Sequence, residues 1–189
     1  MGSVTDGDRE RAAGLHRAYD NLRHELTHHH EQEDELIWPM LGKLGVDAGL
    51  LATMESEHQR MSEALAQTGA AMDTYAASAA ASDAALARES VAHTQTVVEE
   101  HLQHEERELE PQMAPHLQSP EWKAVEKKLS RQPPKVAGQF FAWVTDGMSE
   151  EHRAYLRSTV PPPVVFVLAR VFGRRYRREV APVWQTAAA

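Results

Sequence analysis

Two short stretches of the chain combine the side chains that bind cations. One reads His28-His29-His30-Glu31-Gln32-Glu33-Asp34 and runs on to Trp38-Pro39. The other reads His101-Leu102-Gln103-His104-Glu105-Glu106 and runs on to Glu110-Pro111. Aligned with an offset of 72 positions they share one pattern: His, three residues, Glu, an acid, four residues, Pro. The matched pairs are His29 with His101, Glu33 with Glu105, Asp34 with Glu106 and Pro39 with Pro111. On a helix, a His and a Glu four apart lie one turn apart on one face and can offer a nitrogen and an oxygen to the same ion. With 28 acids and 11 His in the chain, one such pair is unremarkable by chance; the repetition carries the information.

The elements that position these pairs are legible from the apolar pattern. Leu22, Leu26, His29, Glu33, Ile37 and Met40 are joined by helical steps, as are Val91, Thr94, Val98, His101, Glu105 and Leu109. A third stripe, Leu51, Met54, His58, Met61 and Leu65, is interrupted by His58 alone. Stripes of this period face a core, where a carboxylate without a partner is costly. Three helices that each place a ligand-type side chain in mid-stripe are best reconciled by a shared cation. His29, Glu33, His58, His101 and Glu105 are therefore the candidate metal ligands. His28 and His30 point about 100° to either side of His29 and are read as non-ligands. His104 is read as a surface residue, and Glu55, one turn before His58, as a solvated neighbour.

The chain of 189 residues has 42% hydrophobic and 25% charged residues, which fits a soluble globular protein. It has no cysteine, so disulfides, thiolate zinc sites and iron–sulfur ligation are excluded and any metal falls to His and carboxylate. The polar start, Met1 to Arg11, has no signal-peptide character, and the longest apolar run, Val164 to Ala169, is too short to span a bilayer. A cytoplasmic location without membrane insertion is expected. No Ser/His/Asp arrangement suggests hydrolysis.

Residues 9–38 contain one Gly and no Pro, which predicts a single long helix ending near Pro39. Asp47 is an N-cap for a second helix over 48–77, and Ser82 for a third over 83–110. Ser119-Pro120 opens a short helix to about Leu129, and amphipathic pieces follow over 136–144, 149–159 and 164–176. The fold class is all-α. Residues 1–119 hold 8 Lys and Arg against 22 Asp and Glu, whereas residues 120–189 hold 12 against 6. An acidic bundle over 9–118 and a basic helical extension over 119–189 are the expected domains. The run Arg174-Arg175-Tyr176-Arg177-Arg178 is read as a solvated helix end, with no nucleic-acid partner expected.

The motifs His28-His29-His30…Glu33-Asp34…Trp38-Pro39, Met54-Glu55-Ser56-Glu57-His58 and His101…Glu105-Glu106…Pro111 together resemble the hemerythrin-like (HHE cation-binding) family over about residues 9–118. The resemblance implies an up-and-down helical bundle around non-haem iron, with His29 and His101 each ligating one iron, Glu33 and Glu105 bridging, and His58 a further terminal ligand. It implies a di-iron cofactor, with manganese or zinc as substitutes, that meets O2, NO or H2O2. Bundles of this family take another His from a helix preceding the first one here, and 9–38 has no breaker that would make it two helices. Three long helices plus short C-terminal ones are thus expected, with the fourth bundle helix missing or supplied by the tail or a partner; a homodimer is the expected assembly. The alternative is a metal-free bundle serving as a sensor or interaction module.

Overall fold

A computed structural model describes residues 5–185, and within them every regular element is helical. The described chain divides at Ser130/Arg131 into two compact units.

The first unit is built on three long helices. α1 (Arg9–Gln32) starts at Asp8, whose side chain accepts from the Arg11 N–H at 2.9 Å. It does not end at Pro39 as expected. It widens into one π turn, Glu33–Ile37, and continues as α2 (Trp38–Lys43). Proline lacks an N–H and its ring presses on the carbonyl four residues back, so a helix that carries on through Pro39 must open there. The π turn does this: the Trp38 N–H bonds to the Glu33 carbonyl five residues back. The same device recurs before Pro111, where Glu105–Leu109 is a π turn closed by the Glu110 N–H on the Glu105 carbonyl. The repeat seen in the sequence is thus a repeated helix distortion, beginning at the Glu of each copy.

α3 (Ala48–Ser78) is capped by Asp47, which accepts from the Leu50 N–H at 2.8 Å. A tight turn with Ala79 in the left-handed region (φ 55°) leads to α4 (Ala81–His104). Ser82 does not cap α4; Asp6 instead accepts from the Ala81 N–H at 2.8 Å, and the Gly7 N–H bonds to the Ala79 carbonyl at 2.9 Å. The start of the described chain is therefore pinned across the α3–α4 turn. Beyond the second π turn come α5 (Glu110–Met113) and α6 (Pro120–Leu129), the latter capped by Ser119.

α1 and α4 both pack on α3, which is the central helix of the three. Tyr19, Met61, Leu65, Met72 and Tyr75 fill the half of the core toward the α3–α4 turn. At the opposite end Trp38, Leu41, Val46, Leu50, Met54 and Leu109 form a second cluster, joined by Val125 of α6. The helix expected to open the C-terminal extension thus belongs by packing to the bundle. No fourth long helix is present among the described residues, as the unbroken 9–38 segment implied.

The second unit holds α7 (Pro134–Val144), α8 (Glu150–Thr159), α9 (Pro162–Phe172), a third π turn (Tyr176–Val180) and α10 (Ala181–Gln185). That π turn again begins six residues before a proline, here Pro182. α7 and α9 pack closely on each other. No helix is long and apolar enough to cross a membrane among the described residues.

Candidate metal centre

Between the two core clusters, α1, α3 and α4 bring His30, His58 and His101 together. All three are buried, and one nitrogen from each lies within 4.8 Å of the others. His58 and His30 have ring centroids 4.5 Å apart, His58 and His101 4.8 Å. Glu33, also buried, points one carboxylate oxygen at His58 Nε2 from 3.6 Å, and Glu105 points one at His101 Nε2 from 3.9 Å. Both separations are too long for a hydrogen bond. Glu33 Oε2, His58 Nε2 and His101 Nε2 are buried with no hydrogen-bond partner. Such orphaned atoms are rare in an interior. Donors that share one ion at about 2.0–2.2 Å necessarily stand a few ångströms apart without bonding to each other, so this donor set fits a cation.

The outer nitrogens support that fit. His58 Nδ1 donates to Asp34 at 2.7 Å, and His101 Nδ1 donates to Glu57 at 3.0 Å. A carboxylate on Nδ1 fixes the tautomer whose Nε2 lone pair faces inward, the usual support of a metal-bound imidazole. Glu57 also accepts from His104 Nδ1 at 2.8 Å, and His104 Nε2 lies 3.4 Å from Glu108 at the surface. Trp38 stacks on His58 with centroids 5.6 Å apart and closes the site toward the lower core.

Burial sets the charge state. It pushes the Glu33 carboxyl up to about 9, helped by the charges of Glu105 and Asp34. Glu105 is raised for the same first reason. Burial lowers His30 to about 3, aided by His58, His29 and His101, and it lowers His29 and His58 as well. Burial would also raise Glu57, but the hydrogen bonds from His101 and His104 outweigh it and hold its carboxyl below the ordinary value. Burial therefore disfavours a positive charge on His29, His30 and His58 and keeps a proton on Glu33 that a cation would displace.

Of the five residues singled out in the sequence, Glu33, His58, His101 and Glu105 converge. His29 lies at the rim, its side chain half exposed, with Nε2 3.3 Å from Glu33. With His30 and Glu33 it makes a second group of close donor atoms that shares His30 with the first. His30 was read as pointing away. At 3.6 residues per turn the buried face of α1, which runs through Leu15, Ala18, Tyr19 and Glu25, reaches this level between positions 29 and 30 and lands on 33. Glu57 was passed over for Glu55, which is exposed. The signal was there: Glu57 sits three after Met54 and four before Met61, on the same buried stripe as His58. His104 is half-buried and bonded, not a free surface residue. His28 turns to Gln32.

A cleft of about 570 Å³ between α1 and α3, lined by Thr27, Glu31, Glu55 and Gln59 among others, reaches His30 and His58 from solvent. The site is thus a buried histidine–carboxylate cluster that could hold a metal ion, reached by a polar cleft and held by a helical bundle. The hemerythrin HHE cation-binding domain model matches residues 2–113, and the chain belongs to that family. No curated protein and no solved structure matches the chain.

Proposed function

We propose that the pocket is a non-haem iron centre that binds or reacts with O2, NO or H2O2. The observation that carries this reading is the convergence of orphaned Glu33 Oε2, His58 Nε2 and His101 Nε2 with the His30 ring. Neutral imidazole with carboxylate is a donor set suited to iron, and manganese or zinc would compete for it. Five donors, His29, His30, Glu33, His58 and His101, fall into two groups that share His30, which supports two ions. Iron held here would supply electron transfer to a small oxidant, or a binding site for a diatomic molecule, which no side chain of this chain offers. The protein's own contribution is geometric and electrostatic. Asp34 and Glu57 orient the imidazoles, Trp38 and the apolar core keep water from the lower side, and the cleft beside His30 gives a small molecule access. Glu33 gives up its proton as a cation arrives.

Metal analysis and ultraviolet–visible spectra of protein loaded with ferrous iron, before and after peroxide, test the reading. About two irons per chain with peroxide-dependent absorption changes support it. One iron limits the centre to the His30, His58, His101 group. No iron with the helices intact leaves the metal-free alternative, a sensor or interaction module. A homodimer belongs to the same reading, since Leu86 and Leu102 of α4 are exposed on a three-helix unit. Sedimentation equilibrium at micromolar concentration checks it; a monomer removes that part.

A further inference from the structure

α9 is apolar on two opposite sides, and only one of them is covered. Its inner side meets α7 so closely that a Cβ on Gly138 would lie 2.5 Å from the Leu168 carbonyl oxygen and 2.8 Å from Phe172 Cβ. A Cβ on Gly173 would likewise run into Ala142. Small residues here let the two helices touch backbone to backbone, so this side has no room for anything else. The outer side carries Val164, Val167 and Val171 at helical spacing, 44%, 52% and 53% exposed, and Phe166 beside them at 70%. These belong to the largest exposed apolar side chains of the described chain, and they lie on one eleven-residue helix.

The row that starts at Phe166 continues as Arg170 and Arg174. With Val171, Arg177 and Arg178 these line a cleft of about 500 Å³. Arg177 is spent on the Ala169 and Arg170 carbonyls, and Arg175 pairs with Glu179. Arg170, Arg174 and Arg178 have no carboxylate partner among the described residues. An apolar stripe that runs without a break into unpaired guanidiniums matches a surface offering hydrocarbon and phosphate at one depth. An anionic bilayer does so within its outer 5–10 Å or so. α9 is about 16 Å long, half of a hydrocarbon core of about 30 Å, so it would lie in the plane and not across it.

We propose that the outer face of α9 docks on an anionic lipid surface, with Phe166, Val167 and Val171 in the acyl boundary and Arg170, Arg174 and Arg178 on lipid phosphates. The occupant is a membrane and not an acidic protein, because carboxylates alone would leave four apolar side chains in water. α9 belongs to the second compact unit, whereas the histidine–carboxylate cluster belongs to the first.

The full chain is mixed with sedimentable vesicles of phosphatidylcholine, with and without phosphatidylglycerol, at low and high salt. The expected result is co-sedimentation with the anionic vesicles only, weakened by salt. Phe166→Ser, at an exposed position whose helicity circular dichroism checks, lowers partitioning about tenfold through lost apolar burial. Arg174→Glu with Arg178→Glu lowers it by at least about tenfold, at roughly 1 kcal/mol per basic residue near such a surface. Iron loading is unchanged in both. No binding to anionic vesicles overturns the proposal and returns the face to a protein partner. Equal binding to neutral and anionic vesicles, or full binding by the double arginine variant, overturns the role of the arginines.

Discussion

The two copies of the His–Glu pattern are alike in sequence and opposite in burial. In the first, Glu33 is buried and His29 stands half out at the rim, its place inside taken by His30. In the second, His101 is the buried member, and Glu105 keeps some exposure. On α1 the histidine that enters the core is one position later than the pattern places it, and on α4 it is the matched one. A spacing motif shared by two helices therefore identifies the pair of turns that converge in the core. It does not by itself identify which side chain enters.

The largest effect that would break this comparison is on the deepest donor. His101→Ala should lower iron affinity by more than about 100-fold, beyond the 10–100-fold that supporting residues carry. Its sequence counterpart His29→Ala should cost only about tenfold, because a half-exposed donor is replaced by water. Metal content after dialysis against graded chelator reads both. Equal losses would mean that burial does not rank these ligands. Next, His30→Ala should cost more than His29→Ala in the same assay; the reverse order would restore the register expected from the sequence.

Glu57→Gln tests the support and not the ligand. It should reduce iron affinity about 10–100-fold and release the His101 tautomer, seen as altered ring-nitrogen chemical shifts. An unchanged ring spectrum would remove Glu57 as the positioning group.

The smallest effect is in pH. In chelated protein, Glu33 holds its proton in the fold up to about pH 9. In the unfolded chain it loses that proton near the ordinary carboxyl value. The folded state thus binds more protons across that window. The stability this group contributes is full below the ordinary carboxyl range and is lost as pH rises toward about 9. Urea melts of the metal-free protein at pH 5 and pH 8 should show that loss, and Glu33→Gln should flatten it. On the proposed iron reading the same proton leaves as the cation binds, so calorimetry in buffers of different ionisation enthalpy should register about one proton more released near pH 7 by the wild type than by the variant.

Much of the bundle is legible in the sequence. The unbroken 9–38 segment, the Asp47 and Ser119 caps and the three interrupted stripes each rest on local rules that tertiary packing did not override. The departure at the histidines arises because integer spacing cannot fix rotation along a helix. From Leu15 to His30 the drift between 3.5 and 3.6 residues per turn reaches about 40°, so spacing alone does not choose between His29 and His30. Glu57 was hidden by a nearer analogy, since Glu55 and His58 are also three apart. Pro39 was read as a stop because a proline's effect on an α-helix is disruptive; the accommodation by a wider turn depends on Trp38, Leu41 and Leu109 having a core to enter beyond it. Ser82 lost its capping role to Asp6, a contact 75 residues away in sequence.

Each π turn is a helix with one residue to spare, and this makes the length of the chain there a variable separable from its fold. Removal of one residue from Asp34–Leu36 would let α1 run as ordinary α-helix past Glu33, with every donor up to that point in place. Five residues wound at π pitch cover nearly the same rotation and rise as four at α pitch, so the chain from Trp38 on would keep its place. Trp38 would stay over His58 and the lower core would keep its lid. The change would be confined to the turn itself, where Asp34 meets His58. A matched removal in 106–108 would likewise leave Leu109 in its core. Each turn is thus a place where the chain can lose one residue while the helices on either side stand still.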